Sequence, residues 1–337
     1  MKMIDIETLL HIIEHIGLNT FYQMLIETLE EDFGNWNQFS KSPRHAIHTN
    51  QGVIELMPCA NNQFYSFKYV NGHPSNTLQN KLCVVAIGML SDAKNGYPLL
   101  ISEMTLLTAL RTAATAALAA KYLARKESKH LAIIGTGAQA EFQVLAMLSL
   151  YPLTEVSFYD IDAKAMDKFA NNLEAYDFKL NASSSIKSCV QAADIIISAT
   201  AAKKQASLFS YTKVKPGTHI HAMGGDCPGK TEFDANMLKN SKVVVEYLAQ
   251  SKHEGEIQQV DESIVHAELW EIIQAKKSAR ENNQEITFFD SVGFALEDFS
   301  VLRLVYHLSL QLEMAKEVDL IPQLKNAKDL FSLLKVK

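Results

Sequence analysis

Long runs of one charge are missing from this sequence, and so is any basic surplus: 38 Asp and Glu against 32 Lys and Arg leave a formal net charge of −6. Binding a polyanion needs clustered cations, so neither nucleic acid nor an acidic membrane surface is an expected partner. Cysteine is scarce. Cys59, Cys83, Cys189 and Cys227 form no C-x-x-C pair and no zinc-type spacing, which speaks against a disulfide framework and for a reducing, cytoplasmic setting. Extended apolar runs are absent too. The opening MKMIDIETLLHIIEH carries acids from Asp5 onward, unlike a signal peptide, and the Ala-rich stretch near residues 112 to 120 is too short to cross a bilayer. Internal repeats and low-complexity linkers are lacking as well.

What remains is an ordinary globular composition, 337 residues with 47% hydrophobic, long enough for two domains. Residues 5 to 30 place Leu9, Ile13, Ile16, Met24 and Leu25 at helical spacing and predict one amphipathic opening helix. Between residues 44 and 102 the pattern turns to short β-like runs, RHAIHT, GVIELM, QFYSFKYV, LCVVAIGML and YPLLIS, with NQG and KNG as turn signals, an antiparallel module of hairpins. EMTLLTALRTAATAALAAKYLARK then reads as a helix whose alanines permit close backbone approach. From His130 the runs HLAIIG, EVSFYD, DIIISAT, THIHAMG, KVVVEY and ITFFDS alternate with helical or loop segments. The expected fold class is therefore α/β: a Rossmann-like doubly wound parallel sheet over residues 115 to 300, plus an α+β substrate and dimerisation domain with antiparallel strands from residues 1 to 114 and 301 to 337. The run FALEDFSVLRLVYHLSLQLEMAKEV predicts a long helix that returns to the first module.

HLAIIGTGAQAE places Gly135, Gly137 and Ala140 between an apolar strand and a helix. The first permits a tight turn, the second lets backbone N–H groups approach a pyrophosphate, and the third packs helix on strand. About twenty residues on, EVSFYD ends in Asp160, whose carboxylate suits both ribose hydroxyls and repels a 2′-phosphate, so the expected cofactor is NAD rather than NADP.

Four charged residues upstream, Arg44, Glu55, Lys68 and Arg111, stand in apolar or aromatic surroundings. Strand alternation puts Lys68 on one face with Phe64 and Ser66. Arg111 interrupts an apolar helix. Buried cations need a partner, and one shared anion would serve both; taken singly, each reads equally well as a snorkelling surface residue. Downstream, GGDCPGKTE follows a strand, which puts Asp226 and Lys230 at the carboxyl edge of the sheet, where cofactors lie; a Gly-rich turn with solvated charges is the plainer alternative. His219 and His221 share a strand face but lack further ligands nearby, so no metal is expected.

GVIELMP, FKYVNGHPSN, TALRTAATAALAAKYLA, IGTGAQA and GGDCPGKTE together resemble the ornithine cyclodeaminase/mu-crystallin family, over about residues 44 to 293. Two of these, FKYVNGHPSN and GGDCPGKTE, are particular to its cyclodeaminase branch. The resemblance implies conversion of L-ornithine to L-proline and ammonia, with NAD taking a hydride from Cα and returning it to the cyclised imine, in a homodimeric enzyme. It implies Arg44, Lys68 and Arg111 as the clamp for the substrate carboxylate, Glu55 in the polar pocket, Val292 as a substrate contact and Asp226 as the catalytic acid and base. Thr112, Ala138, Gln139, Asp160, Lys230 and Ser291 resemble cofactor contacts, with Thr200 a weaker one. Cys83 departs from the pattern, since a hydroxyl residue is expected there. The alternatives are an alanine dehydrogenase or ketimine reductase of the same family, which would turn over NADH stoichiometrically, or a mu-crystallin-like protein that holds a small ligand.

Overall fold

A computed structural model describes residues 1–201, 207–225 and 227–334. The N-terminal segment predicted as one helix is two, Ile6–Ile16 and Leu18–Gly34. Gly17 breaks them at φ +82, a conformation open to glycine at no steric cost. The hairpin runs form strands Val53–Ala60, Phe64–Gly72, Val84–Asp92 and Pro98–Glu103, joined antiparallel in that order, with His45–His48 and Ser40–Lys41 on the outer edge. Two further strands escape the sequence pattern. Lys2–Ile4 pairs parallel to Pro98–Glu103, and Lys316–Glu317 pairs antiparallel to Lys2–Ile4, so both chain ends close the same sheet. At two or three residues such strands are too short to show alternation.

The second sheet is parallel throughout, in the order Lys179–Ala182, Glu155–Tyr159, His130–Ile134, Ile195–Ser198, His219–Ala222, Thr287–Asp290, Lys242–Val245, Val265–Glu268. All six predicted runs are there. The strand order reverses between His130–Ile134 and Ile195–Ser198, which makes the crevice beyond their carboxyl ends the expected ligand position of such a sheet.

Two buried helices tie the sheets together. Thr105–Leu123 buries seven alanines, Ala109, Ala113, Ala114, Ala116, Ala117, Ala119 and Ala120, which lets it lie against both Leu18–Gly34 and Ala140–Leu148. Ala295–Gln311 packs on the inner face of the antiparallel sheet. Gly88 lets it come close: a Cβ there would fall 3.0 Å from Leu302 Cδ1. These helices run unbroken through positions 114/115 and 300/301. Between the sheets Trp36 stacks on Trp270 at 5.8 Å and meets Phe294 at 5.6 Å, an aromatic wedge that fixes their relative position. Among the described residues no helix is long and apolar enough to cross a membrane.

The outward face of the antiparallel sheet is apolar. Leu56 pairs with Tyr69 and Tyr69 with Ile87, and all three are exposed, with Val85 beside them.

Candidate active site

The glycine loop sits at the reversal of strand order. Gly135 has φ +92, and a Cβ there would come within 2.6 Å of the Ala199 carbonyl oxygen, so the two central strands approach too closely for any side chain. Its N–H donates to Tyr159 O at 2.9 Å. Asp160, at the end of the neighbouring strand, accepts from Thr136 N at 2.6 Å and from Asp162 N at 3.0 Å, which braces the loop beside the carboxylate. Gly137 and Ala138 are exposed at the mouth, Gln139 caps the helix Ala140–Leu148, and a Cβ on Gly137 would meet nothing within 4 Å. An open backbone cradle at a helix N-terminus, with an acid beside it, fits the diphosphate and ribose of a dinucleotide.

Across the crevice, Thr200 donates through its N–H to Glu232 Oε1 at 3.1 Å, and its hydroxyl reaches the same oxygen. Lys230 Nζ stands 3.4 Å from Thr200 O. Behind them lies a series of buried acids. Glu256 accepts from Glu232 N at 2.7 Å and Phe233 N at 3.1 Å, while Asp290 accepts from Glu256 N at 2.9 Å and Ile257 N at 3.1 Å. Burial, then the Asp290 charge, pushes Glu256 up to about 8, and burial pushes Asp290 up to about 7. The glycines of GGDCPGK have a spatial reason here: a Cβ on Gly225 would fall 2.6 Å from Glu256 Oε1, and one on Gly224 would overlap the Glu232 carboxyl group. Asp226 itself lies outside the described residues.

The predicted cations converge from the N-terminal part of the chain: Lys68 from the strand Phe64–Gly72, Arg44 from just before His45–His48, and Arg111 from the helix Thr105–Leu123. Lys68 points inward with Ser66, as alternation required, and Lys68 Nζ is 2.8 Å from Asp298 Oδ1 with both side chains 1% exposed. Arg111 reaches Glu297 Oε2 at 2.5 Å and Asp298 Oδ1 at 3.1 Å. The shared anion expected for these two cations is thus supplied by the chain itself, in Asp298. Burial lowers Lys68 to about 8 against the opposing pull of Asp298, and burial followed by the Glu246 charge raises Glu297 well above the usual carboxylate range. Arg44 bridges Glu55 and Glu254, each at 3.2 Å, and donates to Val292 O at 2.6 Å and Gly293 O at 2.7 Å. Thr112 is half-buried beside Arg111, whereas Ser291 and Val292 are buried at the end of the strand Thr287–Asp290.

Sequence reasoning passed over Glu246, Glu254, Glu297 and Asp298. For the last two a signal existed: FALEDF sets two acids in an apolar helix, the same anomaly that singled out Arg111. His219 and His221 are fully buried, with the His221 ring stacked 5.4 Å from Phe289, and burial lowers it to about 3, so it stays neutral. Among the described residues no group of three His, Cys, Asp or Glu could hold a metal ion.

Comparison with known proteins agrees with this arrangement. The model of the ornithine cyclodeaminase/mu-crystallin family matches residues 6–312. An ornithine cyclodeaminase of Agrobacterium tumefaciens (strain Ach5) is 46% identical over 334 residues, covering 99% of this chain and 94% of that protein. A lysine cyclodeaminase, solved to explain its recognition of L-lysine, L-ornithine and L-2,4-diaminobutyric acid, superposes with a TM-score of 0.91 at 25% identity over 98% of this chain and 99% of that one. An archaeal alanine dehydrogenase dimer with bound NAD gives 0.87 at 31% identity, over 95% and 99%. With its glycine loop at the strand reversal and its cations gathered from the N-terminal residues opposite, the chain belongs to the ornithine cyclodeaminase/mu-crystallin family.

Proposed function

We propose that this chain is an NAD-dependent ornithine cyclodeaminase, which converts L-ornithine to L-proline and ammonia with no net oxidation. The observation that carries the reading is the reach of Arg44 from the antiparallel sheet to the carbonyls of Val292 and Gly293, at the carboxyl edge of the parallel one. It joins the cation cluster and the glycine-loop crevice into one site. NAD, when bound, supplies the reversible hydride acceptance at Cα that opens and closes the cycle.

The chain's own groups hold the amino acid. Lys68 has three donors and Asp298 takes one, and Arg111 presents a planar fork, so a substrate carboxylate can join the buried ion cluster. Glu55 and Glu254, flanking Arg44, balance the site toward a substrate that also carries ammonium groups. Asp226 is assigned the proton transfers, since each amine must lose a proton to donate electrons and the departing ammonia must gain one. Gly135, Gly137, Ala138, Gln139 and Asp160 would hold the ADP-ribose half, and Thr112, Thr200, Lys230 and Ser291 the remainder. Val292 would face the substrate. Residues 115 to 300 form the cofactor domain in this reading, and residues 1 to 114 with 301 to 337 the substrate domain.

The same reading makes the protein a cytoplasmic homodimer. The outward face of Leu56, Tyr69, Val85 and Ile87 is the surface such a dimer would cover, and the dimeric alanine dehydrogenase supports it.

The test is incubation with L-ornithine and substoichiometric NAD, following proline, ammonia and NADH absorbance together. Many turnovers to proline and ammonia without NADH are expected. Stoichiometric NADH with a 2-oxo acid would transfer the chain to the dehydrogenases of the family, and no reaction at all to its ligand-binding members.

A further inference from the structure

Glu246 follows the strand Lys242–Val245 and is fully buried. Among the described residues, the three hydrogen bonds that it accepts from backbone and hydroxyl groups enter one short segment. Its Oε2 accepts from Val292 N at 3.1 Å and from Gly293 N at 2.8 Å, and its Oε1 accepts from the Ser291 hydroxyl. The acceptors of the same segment are held from the other side. Arg44 donates to the carbonyls of Val292 and Gly293, and Gln250 Nε2 donates to Gly293 O at 2.8 Å. Gly293 lies at φ +79, where a Cβ would stand 3.0 Å from Arg111 NH1.

A second contact links this segment to the cation cluster. The Glu246 charge acts on Glu297, and Arg111 sits on Glu297 Oε2. Among the described residues, Glu297 Oε1 is buried without a hydrogen-bond partner. Burial, then the Glu246 charge, raises Glu297 above the usual carboxylate range, which favours its neutral form.

We propose that Glu246 is a positioning residue: its carboxyl group sets the backbone of Ser291, Val292 and Gly293 in register with Arg111, and so fixes where cofactor and amino acid meet. The proposal rests on the cyclodeaminase reading for its kinetic consequence, though not for its structural one. What the segment requires is one acceptor oxygen for the two backbone N–H groups and a polar partner for the Ser291 hydroxyl, both at the reach of a glutamate, with charge secondary. Glu246→Gln keeps the reach: its amide oxygen can accept both backbone N–H groups and its NH2 can donate to the Ser291 oxygen. Glu246→Asp keeps the charge and loses the reach by one methylene. A positioning role therefore ranks Gln above Asp, and a proton carrier or charge partner ranks Asp above Gln.

The experiment compares the two variants with the parent in two ways. In cofactor-free protein, amide hydrogen exchange of the peptide covering residues 291 to 294 should quicken by about tenfold or more in Glu246→Asp and stay near the parent in Glu246→Gln, because only Asp frees the backbone N–H groups. In turnover with L-ornithine, Glu246→Asp should lose about 100-fold in kcat and show a larger deuterium effect from substrate labelled at Cα, while NAD affinity, set mainly at the glycine loop, holds. Equal exchange in both variants, or Asp as active as or more active than Gln, overturns the proposal. If the parent itself fails to turn over L-ornithine, the cyclodeaminase reading falls, and the exchange comparison still decides the role of Glu246.

Discussion

Lys68 Nζ and Asp298 Oδ1 meet at 2.8 Å across 230 residues of chain, both side chains 1% exposed, and Arg111 shares the same carboxylate oxygen. Removing one member of such a cluster strands the others in low dielectric. Asp298→Asn should lower the free energy of unfolding by about 3–5 kcal/mol, measured by urea denaturation. A loss below about 1 kcal/mol, the range of exposed pairs, would mean that water reaches the cluster.

Lys68 also sets a pH dependence. Burial brings its amine to about 8, so its charge is lost as pH rises through that value. The KM for the amino acid should therefore climb above pH 8, with kcat less affected. Stability moves oppositely: between about 8 and the unfolded value near 10.4 the unfolded chain binds the extra proton, and this group's contribution rises with pH. Initial-rate profiles from pH 7 to 9.5 check the first statement, and a KM independent of pH there would remove Lys68 from substrate binding.

His221 titrates in the reverse window. Its folded value of about 3 lies below the unfolded value near 6.5, so from pH 6.5 down to 3 the unfolded state gains a proton that the native state refuses. Both of its ring nitrogens are buried without a hydrogen-bond partner among the described residues, and it already stacks on Phe289. His221→Phe should become more stable than the parent by about 1.4 kcal/mol for each pH unit below 6.5. Parallel stability curves for the two proteins would contradict this.

Gly135→Ala adds a Cβ 2.6 Å from the Ala199 carbonyl oxygen at a φ of +92. The strain from left-handed backbone alone is about 1–2 kcal/mol, and the backbone overlap adds to it. A lower melting temperature is expected together with at least roughly tenfold weaker NAD binding, since the loop must shift from its helix. Calorimetric titration showing parental affinity would place the dinucleotide elsewhere.

Asp160→Ser removes the carboxylate that repels a 2′-phosphate and also frees Thr136 N from its 2.6 Å contact. NAD should bind more weakly and NADP relatively better, judged from the ratio of the two dissociation constants. An unchanged ratio would show that this carboxylate does not read the ribose.

Ile87→Glu places a charge in the middle of the exposed apolar face, opposite Tyr69. If the proposed dimer covers this face, light scattering should find the variant a monomer. A variant that remains dimeric would move the interface off this sheet.

The parallel sheet was readable because each of its six predicted runs carries an apolar stretch, bounded by turn residues and spaced for crossovers. Lys179–Ala182, with two polar residues among four, and Val265–Glu268, with His266 and Glu268, carry no such run and were missed. The helix break at Gly17 was hidden because apolar spacing continues on both sides of it. In the site, cations betrayed themselves as charges in apolar sequence. Glu246 could not, since it follows three valines at a strand end, where an acid commonly faces water; only the return of residues 291 to 293 to the adjacent strand end buries it.

The pairing of Lys2 with Glu317 orders events during synthesis. Every strand of the parallel sheet lies between residues 130 and 290 and can assemble as soon as that stretch has left the ribosome. The earlier antiparallel strands must wait for Ala295–Gln311 to cover their inner face and for Lys316–Glu317 to complete their edge. The first part made is thus the last part finished, with its apolar inner face uncovered for the length of nearly 200 residues, and it is there that a nascent chain of this protein would call on a chaperone.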